Sequence, residues 1–256
     1  MDCLEGPVSY LSWSLMIGSV LYLWRQTQTH SEYGRYITTG VRSCSARVGW
    51  FLQEVPSFLL PLLMILLLPP KEALEPRIIS GRTLLLSTFM LHYFQRSFIY
   101  AFRTRGRPVP FYIIAQAFVF CSVNGALQGH ALLHCFHIQN TWLSNVRLAA
   151  GYFLFFVGMG INIYHDNILR NLRKPNEIVY KIPWGGLFEY VSGANFFGEI
   201  VEWCGYAIAV WNFPGFAFTF FTLCSIGPRA YHHHRDYLRR FDDYPRSRKA
   251  LIPFIL

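Results

Sequence analysis

The stretch WFLQEVPSFLLPLLMILLLPP, Trp50 to Pro70, decides the fold. From Val55 to Leu68 it carries no charge. Extended back to residue 49 it makes an apolar run of about 20 residues, which as a helix crosses a hydrocarbon layer about 30 Å thick. One turn inside that run sit Gln53 and Glu54, and a carboxyl group in lipid needs a reason.

The rest of the chain agrees that there is a membrane. Of its 256 residues 53% are hydrophobic, 18% aromatic and 14% charged, with a mean hydropathy of +0.26. A soluble domain carries about 25% charged residues. Comparable runs lie at 8–24, 49–68, 83–102, 109–134, 147–166, 194–211 and 213–231. These predict an all-α integral membrane protein, a seven-transmembrane helix bundle with 1–256 as one polytopic domain. The first run follows Asp2 and Glu5, without a basic leader or a small-residue cleavage site, and is expected to be a retained anchor.

Lysine and arginine orient the bundle. With the N-terminus outside the cytosol, the cytosolic segments hold Arg25, Arg35, Arg42, Arg47, Arg103, Arg105, Arg107, Arg170, Arg173, Lys174 and Lys181. The tail adds Arg229, Arg235, Arg239, Arg240, Arg246, Arg248 and Lys249, against Lys71, Arg77, Arg82 and Arg147 on the other face. The formal net charge of +9 therefore reports topology and points to no nucleic acid. The six cysteines include no Cys-x-x-Cys, a pattern that predicts neither a disulfide framework nor a zinc site.

Ionisable side chains at membrane depth are costly and face a cavity or a partner. Here they form stripes at helical spacing: His92, Arg96 and Tyr100; Asn162, Asp166 and Arg170; Asn195, Glu199 and Glu202; Arg229, His233 and Tyr237. A single Asn or His could simply tie two helices together. Such bonds contribute about 0.6 kcal/mol each on average, poor compensation for four polar faces together with Glu54 and Asn124. The stripes predict a cavity open to the cytosol. Its guanidinium groups match phosphate geometry, and its tyrosines offer stacking faces. A phosphate-bearing aromatic ligand would enter from the cytosol, and an apolar partner would reach the Glu54 side through the bilayer. Gly158 to Gly160 lies mid-span with no preceding strand, so it is no dinucleotide fingerprint. Consecutive helical residues point about 100° apart; at most two histidines of YHHHR could converge, and no metal is expected.

FLQEVPS, LHYFQRSFIY, RGRPVP, GMGINI, ILRNLRKPNE, IPWGGLFEYVSGANFFGEIVEWCGYA and YHHHRDYL carry a resemblance. Together with the DYPRSRKALIPF ending, they are similar to the steroid 5α-reductase family, the 3-oxo-5α-steroid 4-dehydrogenases. The similarity runs from about Tyr33 to the C-terminus, and GALQGHALLHC leans toward the type 2 isozyme. The resemblance implies seven spans in the endoplasmic reticulum membrane, with the N-terminus lumenal and the C-terminus cytosolic. It implies NADPH as cofactor, hydride transfer to C5 of a 3-oxo-Δ4 steroid such as testosterone, and proton addition at C4. It places Glu54 and Tyr93 on the steroid 3-carbonyl, with Trp50 and Phe120 flanking the rings. NADPH falls to Asn162, Asp166, Arg173, Asn195, Glu199, Arg229, His233 and Tyr237, with Arg96, Tyr100, Arg105 and Arg107 nearby. Residues 147–256 would carry most of that site, and no obligate protein partner is implied.

The chain departs from the family pattern at Tyr164-His165, Asn176, Gln95, Ser225 and Pro228. Burial disfavours a charged carboxyl, so Glu54 is expected to be neutral and to donate a hydrogen bond. With Tyr93 it would stabilise the enolate formed as hydride arrives. Pro56 removes a ladder hydrogen bond nearby and could tilt this turn toward the cavity. Two other readings stay open: an integral membrane methyltransferase of the isoprenylcysteine or phospholipid type, and a seven-span receptor or transporter without turnover.

Overall fold

In the computed structural model, which describes residues 3–29, 34–37, 40–68, 81–135, 142–172 and 179–256, each expected run is a helix. These are α1 (Glu5–Gln28), α2 (Ala46–Leu67), α3 (Gly81–Phe94), α4 (Phe111–His130), α5 (Trp142–Asn171), α6 (Ala194–Val210) and α7 (Phe213–Arg240). Helix α3 runs on through a π-helical turn, Gln95–Tyr100, and α4 through another, Ala131–Cys135. Strands β1 (Ser43–Cys44) and β2 (Val109–Pro110) pair antiparallel and tie the entry of α2 to that of α4.

Among the described residues, three helical stretches are long and apolar enough to cross a membrane: Ala46–Leu67, Phe111–Cys135 and Asn145–Asn171. The shorter α6, at 17 residues, and the charged end of α7 do not meet that measure. The outer surface suits lipid all the same. Trp13, Ile17 and Leu21 on α1, Leu66 and Leu67 on α2, Val119 on α4 and Phe153 on α5 are all exposed. An apolar surface of this extent is foreign to a soluble monomer.

Where lipid replaces water, helices associate through close packing rather than apolar burial. Helices α5 and α6 do this with glycines seven residues apart, Gly151 and Gly158 on one, Gly198 and Gly205 on the other. A Cβ on Gly158 would lie 2.2 Å from the Glu202 backbone nitrogen, and one on Gly198 would lie 2.5 Å from that of Asn162. The glycine motif around Gly158 is thus a helix contact. Elsewhere α1 packs along α7 and α2 along α4. An aromatic core of Phe89, Tyr93, Phe155, Trp203, Tyr206 and Phe218 fills the centre.

The near-continuous apolar stretch from 194 to 231 is split by a sharp corner. Trp211 takes a left-handed φ of 46°. Asn212 Oδ1 then accepts from the Gly215 amide at 2.9 Å, capping α7 just ahead of Pro214. Pro56, Pro61 and Pro228 all lie inside helices that continue through them.

Two expectations change. Cys3 and Cys135 form a disulfide, 132 residues apart in sequence, joining the start of α1 to the end of α4. The scattered cysteines hid this pair because the bundle, not the spacing, brings them together. The His92, Arg96 and Tyr100 stripe is also broken, because the π turn widens the helix between them. His92 turns toward α6, while Arg96 and Tyr100 line a different space.

Near its end the chain folds back onto the bundle, with Arg248, Ala250 and Leu251 buried and Phe254 and Ile255 exposed. Lys249 N donates to Tyr190 O at 2.8 Å, and the Ser192 and Gly193 amides donate to the carbonyls of Lys249 and Ala250. Arg248, 1% exposed, donates to Pro183 O at 2.8 Å and lies 4.2 Å from the Trp184 ring.

Candidate active site

Two cavities meet inside the bundle. A polar lobe of about 210 Å³ and an apolar lobe of about 250 Å³ share Trp50, Val109 and Arg229 in their walls.

The polar lobe is organised by Arg96. Its Nη1 donates to Asp166 Oδ2 at 2.7 Å and its Nη2 lies 3.8 Å from Glu199 Oε2. Asn195 Nδ2 donates to Asp166 Oδ1 at 3.0 Å. Asn162 Nδ2 donates to the Asn195 carbonyl at 3.0 Å and to Glu199 Oε2 at 3.4 Å. The Arg96 guanidinium lies over the rings of Tyr100, at 4.3 Å, and Trp50, at 5.1 Å. Three helices therefore fix one buried cation against two carboxylates, an arrangement that offsets the desolvation of each.

Helix α7 supplies another wall. Arg229 Nη2 donates to Tyr22 Oη at 3.2 Å, and Tyr237 lines the same lobe. The three consecutive histidines diverge. His232 Nε2 bonds the Gln26 carbonyl at 2.7 Å, and His233 sits between the rings of Tyr36 and Phe196. His234 Nδ1 lies 2.7 Å from Ser192 Oγ, which is 2.6 Å from Tyr244 Oη. Partial burial, with Lys249 nearby, lowers the His234 pKa below 6.5. Arg105, Arg107, Arg170 and Lys181 also line the polar lobe. The Arg107 guanidinium lies 5.5 Å from the Tyr180 ring, and its buried Nε has no hydrogen-bond partner among the described residues.

The apolar lobe contains Glu54, Tyr93 and Phe120. Phe120 stacks on Phe221 at 4.2 Å. The Cys121 thiol donates weakly to Glu54 Oε2 at 3.9 Å, and Ser57 Oγ donates to the Cys121 carbonyl at 2.9 Å. Around Glu54 and Tyr93 the wall is largely aromatic and aliphatic, with Glu199 and Arg229 on the side shared with or facing the polar lobe.

The sequence-predicted residues are thus brought together, with three exceptions. Asn162 lines neither lobe; it stands behind Asn195 and Glu199 and positions them. Glu199 lines the apolar lobe while contacting Arg96, so it sits at the junction. Arg173, like Asn176, lies outside the described residues. Of the departures from the family pattern, Ser225 lines the apolar lobe and its carbonyl accepts from Gln26 Nε2 at 3.0 Å. His165 is structural: Nδ1 donates to Ile161 O at 2.7 Å, and Nε2 accepts from the Leu187 amide at 2.9 Å.

Sequence reasoning missed two things. Helix α1 supplied no candidate from the sequence, yet its Tyr22 and Gln26 reach the cavities; the Gln26 position in RQTQ was the available signal. Glu202 shares a stripe with Asn195 and Glu199 but pairs with His92, Nδ1 to Oε1 at 2.8 Å, with Glu202 wholly buried.

Fold and site together define a helical membrane protein with a joined polar and apolar binding chamber. A family model described as 3-oxo-5-alpha-steroid 4-dehydrogenase matches residues 107–256. The chain is 48% identical to 3-oxo-5-alpha-steroid 4-dehydrogenase 2 of Sus scrofa over 256 residues, covering 99% of this chain and 98% of that protein. It is also 48% identical to the isozyme 2 of Homo sapiens, covering 100% and 99%. Against 3-oxo-5-alpha-steroid 4-dehydrogenase 1 of Homo sapiens the identity is 47%, covering 90% and 88%. The chain belongs to the 3-oxo-5-alpha-steroid 4-dehydrogenase family, a family of oxidoreductases.

Proposed function

We propose that this protein reduces the 4,5 double bond of 3-oxo-Δ4 steroids, such as testosterone, to the 5α product. The observation that carries the reading is the junction of the two lobes. A charged chamber suited to a soluble phosphate-bearing cofactor shares a wall with an apolar one suited to a steroid. The names of the relatives support the same reaction.

The polar lobe fits NADPH in its chemistry. It offers guanidinium groups for phosphates, tyrosine faces for stacking and, at Arg107 Nε, a buried donor with no protein partner among the described residues. Arg105, Arg107, Arg229, His233 and Tyr237, with Asn195 and Asp166, would hold it, and when bound it would supply the hydride. Glu54 and Tyr93 would each donate a hydrogen bond to the steroid 3-oxygen. Such donors act on charge that develops in the transition state, where a water-poor chamber strengthens them. Trp50 and Phe120 would fix the ring plane between the lobes.

On this reading the seven helices all span the endoplasmic reticulum membrane, with the polar lobe cytosolic and the N-terminus lumenal. The Cys3–Cys135 disulfide supports that orientation, because both ends it joins fall on the lumenal side, where disulfides persist. Membranes expressing this chain, given NADPH and testosterone, are expected to yield 5α-dihydrotestosterone by mass spectrometry. No product, or binding of S-adenosylmethionine in place of NADPH, would overturn the proposal.

A further inference from the structure

His92 on the wall of the apolar lobe and Glu202 behind it form a buried pair with no part in polarising the carbonyl. His92 lines the lobe beside Tyr93, with their ring centroids 5.1 Å apart. Its Nδ1 is 2.8 Å from Glu202 Oε1, and the pair is shielded, with side-chain exposures of 5% and 0%. The face of Trp203 holds the imidazole from one side, 4.5 Å away. Glu202 Oε2 is buried without a hydrogen-bond partner among the described residues.

Such burial selects the charge state of the pair. A carboxylate beside a neutral imidazole would leave an uncompensated buried charge, a costly state. The net-neutral pair has two forms related by one proton shift along the 2.8 Å contact: carboxylic acid with neutral imidazole, or carboxylate with imidazolium. Nε2 carries a hydrogen in both. Among the described residues that nitrogen has no hydrogen-bond partner, and its ring borders the chamber proposed to seat the steroid.

We propose that His92, held by Glu202, is the proton donor to C4 of the steroid enolate, with Glu202 as its positioning residue. The inference rests on the steroid-reductase reading. Once hydride has been added at C5, the enolate spans O3, C3 and C4. Its C3–C4 π pair takes the hydrogen from Nε2, forming the C4–H bond and breaking N–H, while the C3 carbonyl re-forms. The pair is left one proton short and net negative, a state its burial disfavours, and water regains access to restore the proton as product leaves. Carbonyl polarisation and carbon protonation thus fall to different groups, Glu54 with Tyr93 for the first and His92 for the second.

Microscopic reversibility supplies a test that needs no hydride transfer. The purified protein is incubated in D₂O with 5α-dihydrotestosterone and NADP⁺, and deuterium is located by NMR. Wild-type protein should exchange one C4 hydrogen in preference to those at C2, which are also α to the carbonyl. His92→Phe combined with Glu202→Leu removes both partners of the buried pair and so strands neither. It should lose at least ten-fold of the C4 exchange while still binding the steroid by equilibrium dialysis. Glu202→Gln keeps a hydrogen bond to Nδ1 but no shared proton, and should slow exchange several-fold with the C4 preference retained. Undiminished C4 exchange in the steroid-binding double variant, or no C4 preference in wild type, overturns the proposal. Failure of the parent reading looks different: wild type would not convert testosterone with NADPH at all.

Discussion

In the polar lobe, Arg96 faces two carboxylates within 4 Å, and both Asp166 oxygens are hydrogen-bonded. In the apolar lobe, Glu54 meets one weak donor among the described residues, the Cys121 thiol at 3.9 Å. The first set of charges is balanced by the protein itself. The second is left for something else to complete. On the proposed function, Arg96 is a strut that fixes the shape of the chamber proposed for the cofactor, whereas Glu54 is a group held ready for substrate.

The largest effect should come from breaking the strut. Arg96→Ala leaves Asp166 and Glu199 buried without their cation, a change that costs about 3–5 kcal/mol when a buried pair is broken. The detergent-purified variant should melt well below wild type, and Asp166→Asn added to it should recover part of the loss. An unchanged melting temperature would mean that Arg96 is free for ligand rather than committed to the fold.

Breaking the reactive side should spare the fold and remove the chemistry. Glu54→Ala is expected to lower kcat roughly 100-fold or more, the usual cost of deleting a donor to a developing oxyanion. Glu54→Gln, which still donates, should lose less. Wild-type rates in both variants would end the polarising role.

The residues behind these effects are partly legible in the sequence. The apolar runs mark all seven helices, and four-residue spacing singles out Asp166, Asn195, Glu199 and Arg229. What spacing does not give is partner choice. Helical periodicity puts His92, Arg96 and Tyr100 on one face, but a π turn divides them between lobes. Glu202 sits on the same stripe as Glu199, yet one turn of α6 is enough to bring it against α3 instead. Cys3 and Cys135 are joined only through tertiary packing.

A smaller effect should separate the rim of the polar lobe from its floor. Arg105→Ala removes the guanidinium of an exposed residue that lines the polar lobe. If it contacts the 2′-phosphate, the preference for NADPH over NADH in kcat/KM should fall about ten-fold or more, since hydrogen bonds to charged groups contribute roughly 1.5–3 kcal/mol. An unchanged ratio would assign that phosphate elsewhere.

The smallest expected effect lies at the tail. His234 is held neutral in the folded protein, its pKa lowered by partial burial and by Lys249. Its contribution to docking residues 248–251 is therefore full above about pH 6.5. It is lost as pH falls below that value, where the unfolded form takes up protons first. Hydrogen exchange at the Ser192, Gly193 and Lys249 amides should accelerate at about pH 5.5 relative to about pH 7.5 after correction for intrinsic rates. His234→Gln should flatten that difference.

The central claim is that one chamber holds two ligands in two lobes, and a crossed pair of variants tests it most directly. His233 lines the polar lobe and Glu54 the apolar one. The Michaelis constants for NADPH and for testosterone are measured in His233→Ala and in Glu54→Gln. His233→Ala should raise the KM for NADPH about ten-fold, the equivalent of roughly 1.4 kcal/mol, while leaving that for testosterone nearly unchanged. Glu54→Gln should leave the NADPH constant unchanged and act on the steroid step alone. If His233→Ala weakened testosterone and spared NADPH, the assignment of the two lobes would be reversed and the account wrong.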